Sequence, residues 1–530
     1  MRTVNDLDAI VLRTMLERRA ESDPDESFLT FADGRSWTRR DALTAAYRAA
    51  NVMRDAGVRQ GDRVSIFLTN GPGYLKAWWG AVTLGAVIVP LNTGYKGTLL
   101  AQQVNRTKPV AMITDSDLGA RLDPDLIEVD YLTLDVAALD GGEDTPPPLE
   151  RPLFYGDNEL LVLTSGTTGP SKLVATSYLH NYLGGEHFVV QKGRGAEDVL
   201  LIDLPLYHSA AVYIITAALS NGAKIVVREY PAMTSYWEVA RDTGATMVVQ
   251  VSSMMSFLES QAPRAADKEH NIRAVLVAPL PNDPKRFMER FAIPEMYTVY
   301  GSTETSGALV SQLGDAFTPG YCGRVRDGFE VAVVDANDVP VPTGEPGELV
   351  VRTDLPWAVM SEYEGNPEAT AKAWRNGWFH TGDMMRSDED GRYFFVDRIK
   401  DALRRRGENI SSFEVEQHVQ SHPSVAEVAC VPFRAEGQTE DEIKVWVVVA
   451  EGETFDADAL FHHSFEHLPY FMVPRYFEAI DSFPRTPNMK IRKVELRESG
   501  NSSATWDAEA AGYRWGRKGL DVQLRVDELA

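Results

Sequence analysis

From Leu43 to Val277, short apolar runs of strand length alternate with segments of helical period, and that rhythm restricts the chain to folds built on largely parallel sheets. Leu43, Ala46, Tyr47, Ala50 and Met53 fall on one helical face, and Gly57 offers the stop. Residues 64–68 read as a buried strand, 74–84 as a helix, 87–89 as the next strand, and 110–114 repeat the strand signal. The alternation returns through strands expected at 225–227, 247–251 and 274–277. From Glu330 the texture changes. Strands expected at 331–334 and 348–351 flank Pro342, Gly344, Pro346 and Gly347, the signature of a small β-rich unit with tight turns. After about Arg398 a smaller α+β unit begins, with strands expected at 425–431 and 443–449 and a helix near 414–420. The charged run DRIKDALRRRGEN, residues 397–409, lies at the join. Such a run is ordinarily a solvated face, and its position between two domain-like regions adds a hinge reading.

Length and charge narrow the function. A chain of 530 residues exceeds one ordinary core, so at least two domains are expected. With 53 Lys plus Arg against 77 Asp plus Glu, the net charge of −24 repels phosphate backbones and argues against a nucleic-acid partner. Cys322 and Cys430 stand alone, without CxxC spacing or a nearby His cluster, which points away from disulfides and zinc and toward a reducing, cytoplasmic setting. The first residues are charged throughout and lack a signal-peptide apolar core. The longest apolar stretch, about residues 78–90, is too short to span a bilayer.

The segment LTSGTTGPSK, residues 163–172, carries the most chemistry. It follows a strand-like run at 160–163. Gly166 and Gly169 let backbone N–H groups approach an anion, Ser165, Thr167 and Thr168 add hydroxyls, and Lys172 adds a point charge. This is the chemistry of a phosphate cradle, although it is not the Walker pattern, and the commoner fate of such a composition is an ordinary polar loop.

The full string resembles the phosphate loop of the adenylate-forming superfamily, which includes acyl-CoA synthetases, peptide-synthetase adenylation domains and beetle-type luciferases. Further matches follow in the family's order along nearly the whole chain: PLYHSA (205–210), VAPLP (277–281), YGSTE (300–304), TGD (381–383), VDRIKD (396–401), RRGENIS (405–411) and PRTPNMKIRK (484–493). PSKLV, RRGENISSFEVE and a tail with Trp506 and Tyr513 look most like the branch of crotonobetaine/carnitine-CoA ligases and medium-chain ligases. The resemblance implies an α/β fold: a large N-terminal domain (1–398) of two α/β subdomains with mostly parallel sheets plus a small β-rich subdomain, then a small mobile α+β lid (399–530). The implied activity converts a carboxylic acid and ATP, with Mg²⁺, to acyl-AMP and then passes the acyl group to the thiol of coenzyme A. An acyl carrier protein's phosphopantetheine as acceptor, a luciferase-like adenylate oxidoreductase and a protein that binds nucleotide without catalysis remain open.

The roles implied by the match fall on residues whose chemistry suits them. Thr164, Ser165, Gly166, Thr167, Thr168, Gly169 and Lys172 would hold the phosphates. Ala278, Pro279 and Leu280 would contact adenine. Tyr300, Gly301 and Ser302 complete the nucleotide side, with Tyr300 stacking on adenine or serving as a core aromatic. Thr303 would donate to the α-phosphate. Glu304 would give Mg²⁺ a hard oxygen ligand. Asp383 and Arg398 would engage the ribose. Lys490 would bridge the attacking carboxylate and the α-phosphate, offsetting charge in the transition state. Its motif departs from the family's, with Asn488-Met489 in place of the usual small pair and Arg492 and Lys493 close by. Leu276-Val277 likewise stand where the adenine loop often has glycines. Tyr207, His208, Val249, Val251, Ser252 and Ser253 would line the acyl pocket, His208 as a gate or as a packed core histidine. The segment around His208 lacks the Asp with which amino-acid-activating relatives hold an ammonium, which points to a non-amino acid; an aromatic or polycyclic one stays open. Lys400 takes the hinge position, and Gly407 either lines the CoA tunnel or is a plain turn glycine.

Overall fold

The computed structural model describes residues 7–164, 172–189, 195–281, 283–312, 314–318, 320–399, 403–405, 408–434, 441–486, 490–516 and 519–522. Ser165, Gly166, Thr167, Thr168, Gly169, Lys400, Gly407, Asn488 and Met489 lie outside these residues, as do the side chains of Ser252 and Ser253.

The expected apolar runs all form strands. In the first sheet, Leu132–Asp135, Ala111–Thr114, Arg63–Phe67, Val87–Pro90 and Asn158–Thr164 lie side by side in parallel, and Lys172–Ser177 closes the edge antiparallel. The chain leaves Arg63–Phe67 toward one neighbour and later returns to the other, so the strand order reverses there. Helices Arg39–Asp55 and Pro72–Thr83 pack on this sheet and on each other. Gly80 permits that approach, because a Cβ there would come within 2.5 Å of the Ala49 Cβ.

A second sheet carries the site. Its parallel half runs Glu295–Ser302, Ala274–Val277, Met247–Gln250, Val199–Ile202, Lys224–Val227 and Ser27–Phe31, with Ser36–Thr38 antiparallel at the edge. Val, Ile and Leu fill these strands because both faces are covered by helices. The β-rich unit expected after Glu330 has its own core of Leu309, Leu349, Val351, Phe379 and Met385. It is not a detached sheet. Glu295–Ser302 pairs in parallel with Ala274–Val277 through its first half and antiparallel with Ser306–Val310 through its second, so the antiparallel strands continue the parallel sheet edge to edge.

The C-terminal α+β unit places Ser412–Gln420 and Ala457–His467 on a sheet of Val425–Phe433, Glu442–Val449, Tyr476–Ala479 and Trp506–Asp507, around Val445, Val447, Phe461 and Phe477. The charged run at the join differs from a solvated face at two positions. Asp397 is buried and accepts hydrogen bonds from the Ser412 N–H (2.6 Å) and hydroxyl (3.1 Å). Arg405 is buried against Glu442 at 2.7 Å and donates to the Val473 carbonyl at 2.8 Å. Asp397 holds its strand to the helix Ser412–Gln420 and Arg405 holds its strand to Glu442–Val449, and removing the partner of either would strand a buried ion. Among the described residues no helix is long and apolar enough to cross a membrane.

Candidate active site

The carboxyl ends of neighbouring parallel strands are where an open α/β sheet presents a crevice. Four strands of the second sheet deliver the expected residues there. Val199–Ile202 leads to Tyr207 and His208, Met247–Gln250 to Val251, Ala274–Val277 to Ala278, Pro279 and Leu280, and Glu295–Ser302 to Thr303 and Glu304. The first sheet contributes Thr164 at the carboxyl end of Asn158–Thr164, paired in register with Lys172.

The turn after Ser302 is fixed by its own hydroxyls. The Ser302 N–H donates to Thr305 Oγ1 at 3.1 Å, and the Glu304 N–H donates to Ser302 Oγ at 3.2 Å. Gly301 pairs with Gly307 across the hairpin, and a Cβ on it would lie 1.4 Å from the Ser306 carbonyl oxygen. The Tyr213 hydroxyl donates to the Thr303 carbonyl at 3.4 Å. The Tyr363 hydroxyl donates to Glu304 Oε1 at 2.9 Å. Burial and the Glu304 charge push the Tyr363 phenol pKa up, so it stays a donor. The Lys172 ammonium lies over the same ring, 4.0 Å from its centroid.

Asp383 and Arg398 are cross-strand partners. Arg398 Nε lies 3.0 Å from Asp383 Oδ1, and the Tyr300 hydroxyl donates to Oδ2 at 2.6 Å. Oδ1 is buried with Arg398 as its charged partner, and a carboxylate oxygen so paired has a further lone pair for a ligand hydroxyl. Burial raises the Asp383 pKa, opposed by Arg398, Tyr300 and Lys490. Glu348, which the sequence reading passed over, holds this loop by accepting the Gly382 N–H at 2.9 Å and bonding His380 Nδ1 at 2.9 Å.

The two lysines of the C-terminal motif have opposite surroundings. Lys493 is tied to Glu416 at 2.8 Å and to the Ser412 hydroxyl at 2.8 Å, and Glu416 and Asp397 raise its pKa despite burial. Lys490 is presented by a turn in which its N–H donates to Thr486 Oγ1 at 3.1 Å and its carbonyl accepts from the Thr486 N–H at 2.7 Å. Lys490 is exposed, within electrostatic reach of Arg398, Asp383 and Glu304. Crowding and Arg398 lower its pKa, while Asp383 and Glu304 raise it.

His208 caps the helix Ser209–Asn221, its Nδ1 accepting from the Ala210 N–H at 3.2 Å. Burial and the Lys490 charge push its pKa down to about 4, so the ring is neutral at ordinary pH and keeps its Nε2–H as a donor. His208 is thus fixed by its helix and lies within electrostatic reach of Lys490. Tyr207 engages Asn92, and burial raises its pKa. Val249 is buried, whereas Val251 is exposed at its strand's end. The structure therefore gathers Lys490, Glu304, Asp383, Arg398 and His208 into one electrostatic neighbourhood.

The family model described as AMP-binding enzyme matches residues 16–364, and that of the AMP-binding enzyme C-terminal domain matches 414–490. The crotonobetaine/carnitine–CoA ligase of Escherichia coli O139:H28 is 29% identical over 471 residues, covering 85% of this chain and 91% of that one. The fold is shared with an anthranilate CoA ligase solved with anthranoyl-AMP, at a TM-score of 0.84 and 20% identity, covering 92% of this chain and 97% of that one. It is shared also with the o-succinylbenzoate CoA synthetase of Bacillus subtilis solved with ATP and a magnesium ion, at 0.81 and 25% identity, covering 91% and 98%.

Proposed function

The chain belongs to the AMP-binding enzyme family, and from that premise we propose that it is an AMP-forming acid–thiol ligase acting on ATP, a carboxylic acid and coenzyme A. The first step joins the acid's carboxylate to the α-phosphorus and releases pyrophosphate. The second transfers the acyl group to the thiol and releases AMP. The observation that carries this reading is the placement of Glu304, held by Tyr363, and of Asp383, held by Tyr300 and Arg398, with Lys490 within electrostatic reach of these charges and of a neutral His208. Bringing a carboxylate against a triphosphate is opposed chiefly by charge, and a cation poised between an acyl-side histidine and a nucleotide-side carboxylate offsets it.

Individual roles follow from the same geometry. Asp383, ion-paired with Arg398 through Oδ1, has lone pairs to accept a ribose hydroxyl, and Arg398 adds a donor beside it. Glu304 suits Mg²⁺ because one oxygen is held by Tyr363 and the other remains for a hard cation. When bound, Mg²⁺ supplies neutralisation of phosphate charge. Thr303 is held by Tyr213 for donation to the α-phosphate. Lys490, not Lys493, is the catalytic lysine, because Lys493 is consumed in its ion network. The docked Lys490 corresponds to the arrangement that adenylation needs. A hinge at Lys400, between 1–398 and 399–530, would swing it away and bring Gly407 to the thiol's path, and the expected phosphate loop of Ser165, Gly166, Thr167, Thr168 and Gly169 belongs to the same reading. His208, Tyr207, Val251 and Ser252 form the acyl side.

Pyrophosphate release with ATP and Mg²⁺ across a panel of carboxylic acids tests the function. Release that depends on the acid and accelerates with coenzyme A is expected. Acid-dependent release indifferent to coenzyme A would move the acceptor to an acyl carrier protein, and no release with any acid would contradict a ligase.

A further inference from the structure

One short segment is fastened to both sides of the nucleotide site. The Met360 N–H donates to the Glu304 carbonyl at 2.8 Å. Within four residues the same segment runs beside Lys172–Ser177, the strand that returns from the phosphate loop: the Ala175 N–H donates to the Glu362 carbonyl at 3.0 Å, and the Glu364 N–H donates to the Leu173 carbonyl at 2.8 Å. Tyr363 sits at the centre, bridged to Val174 and 4% exposed. Its N–H is held by Thr370 Oγ1 at 3.0 Å, which fixes the backbone from which the ring projects. Its hydroxyl meets Glu304 and its ring face meets the Lys172 ammonium.

We infer that Tyr363 is a positioning residue that sets the Glu304 carboxylate for the divalent cation and fixes it relative to the phosphate-binding lysine, an inference that rests on the nucleotide reading of this cleft. A carboxylate with both oxygens free can rotate, chelate through both, or turn toward Lys172. With Oε1 accepting the phenol, Oε2 is the oxygen left for the single-oxygen contact that a cation retaining its waters prefers. The ring gives Lys172 an electron-rich face at 4.0 Å, so the ammonium is stationed without neutralising Glu304 directly. One side chain thus touches both the anion and the cation, its hydroxyl on Glu304 and its ring under Lys172.

The test is Mn²⁺ binding by the full chain, read by electron paramagnetic resonance with saturating α,β-methylene-ATP and no acid present. Tyr363→Phe keeps the ring and removes the hydroxyl. Its Mn²⁺ affinity is expected to fall roughly tenfold, the lower end of what losing an outer partner of a metal ligand costs, with the melting temperature close to wild type. In a Glu304→Gln background the same change should have no further effect, an outcome that a merely structural tyrosine would not produce. Raising Mg²⁺ should restore acid-dependent pyrophosphate release by Tyr363→Phe. Tyr363→Leu, which also removes the ring, should in addition weaken nucleotide binding measured without metal. Mn²⁺ affinity within about twofold of wild type in Tyr363→Phe, or equal loss in both backgrounds, would overturn the assignment. A wild-type chain without nucleotide-dependent Mn²⁺ binding would instead overturn the reading of Glu304 beneath it.

Discussion

Glu159 is the residue whose environment makes the sharpest demand on pH. It is fully buried near the start of the strand Asn158–Thr164, accepting from Asn181 Nδ2 at 2.9 Å and Trp78 Nε1 at 3.3 Å, with no ion pair to it among the described residues. Burial pushes its pKa from 4.5 up to about 7, against the pull of those two donors. The unfolded chain releases this proton first, so wild-type stability is fully present below pH 4.5 and is lost as pH rises through 7. Glu159→Gln removes the penalty, and Asn181 can turn its unpartnered Oδ1 to accept the new amide. The variant is expected to melt higher than wild type at pH 8, by about 3 kcal/mol of stability at most, and to match it at pH 4.5. Equal shifts at both pH values, followed by circular dichroism, would contradict a buried carboxyl that titrates late. At this scale the sequence spoke clearly where a motif set the register, as at Asp383, Glu304 and Lys490. It was silent on Tyr363, which lies 59 residues from Glu304 and meets it only through sheet pairing. A tyrosine between two glutamates carries no mark of the distant carboxylate it will touch.

The element that matters most is the hairpin of Glu295–Ser302 and Ser306–Val310. Gly301 tolerates no side chain there, since a Cβ would sit inside the Ser306 carbonyl and 2.6 Å from its carbon. Gly301→Ala should pry the strands apart at Thr303 and Glu304, at a cost of about 1–3 kcal/mol or more. Its expected signature is loss of the thermal stabilisation that ATP gives wild type, measured by melting with and without nucleotide. Undiminished stabilisation would show that the hairpin's closeness does not matter to the site. Strands such as Val87–Pro90 and Met247–Gln250 were legible as apolar runs because parallel strands buried on both faces have few alternatives. The switch of Glu295–Ser302 from a parallel to an antiparallel partner was not legible, because pairing depends on distant segments while local pattern reports only burial. The charged run at the join was half legible for the same reason. Its composition announced solvent, yet Asp397 and Arg405 are buried by partners in other elements, Ser412 and Glu442.

Across the whole molecule, the site draws on two parts of the chain: a C-terminal unit with its own core, which continues to Lys490, and the strands of the rest of the chain, which carry Glu304, Asp383 and Arg398. The two-part organisation could be read from the change of texture near Arg398, whereas the side on which the smaller unit docks could not, since docking is set by few contacts between separate cores. Two observations argue for Lys490 over its neighbours: Lys493 is locked to Glu416, and Arg492 is paired with Glu495. The most direct test follows the two half-reactions of Lys490→Ala separately, as acid-dependent pyrophosphate release and as thioester formation from supplied acyl-AMP. Adenylation should slow by roughly a hundredfold or more, with thioester formation close to the wild-type rate. Equal loss in both steps, or an unchanged rate of adenylation, would contradict a cleft organised around this lysine.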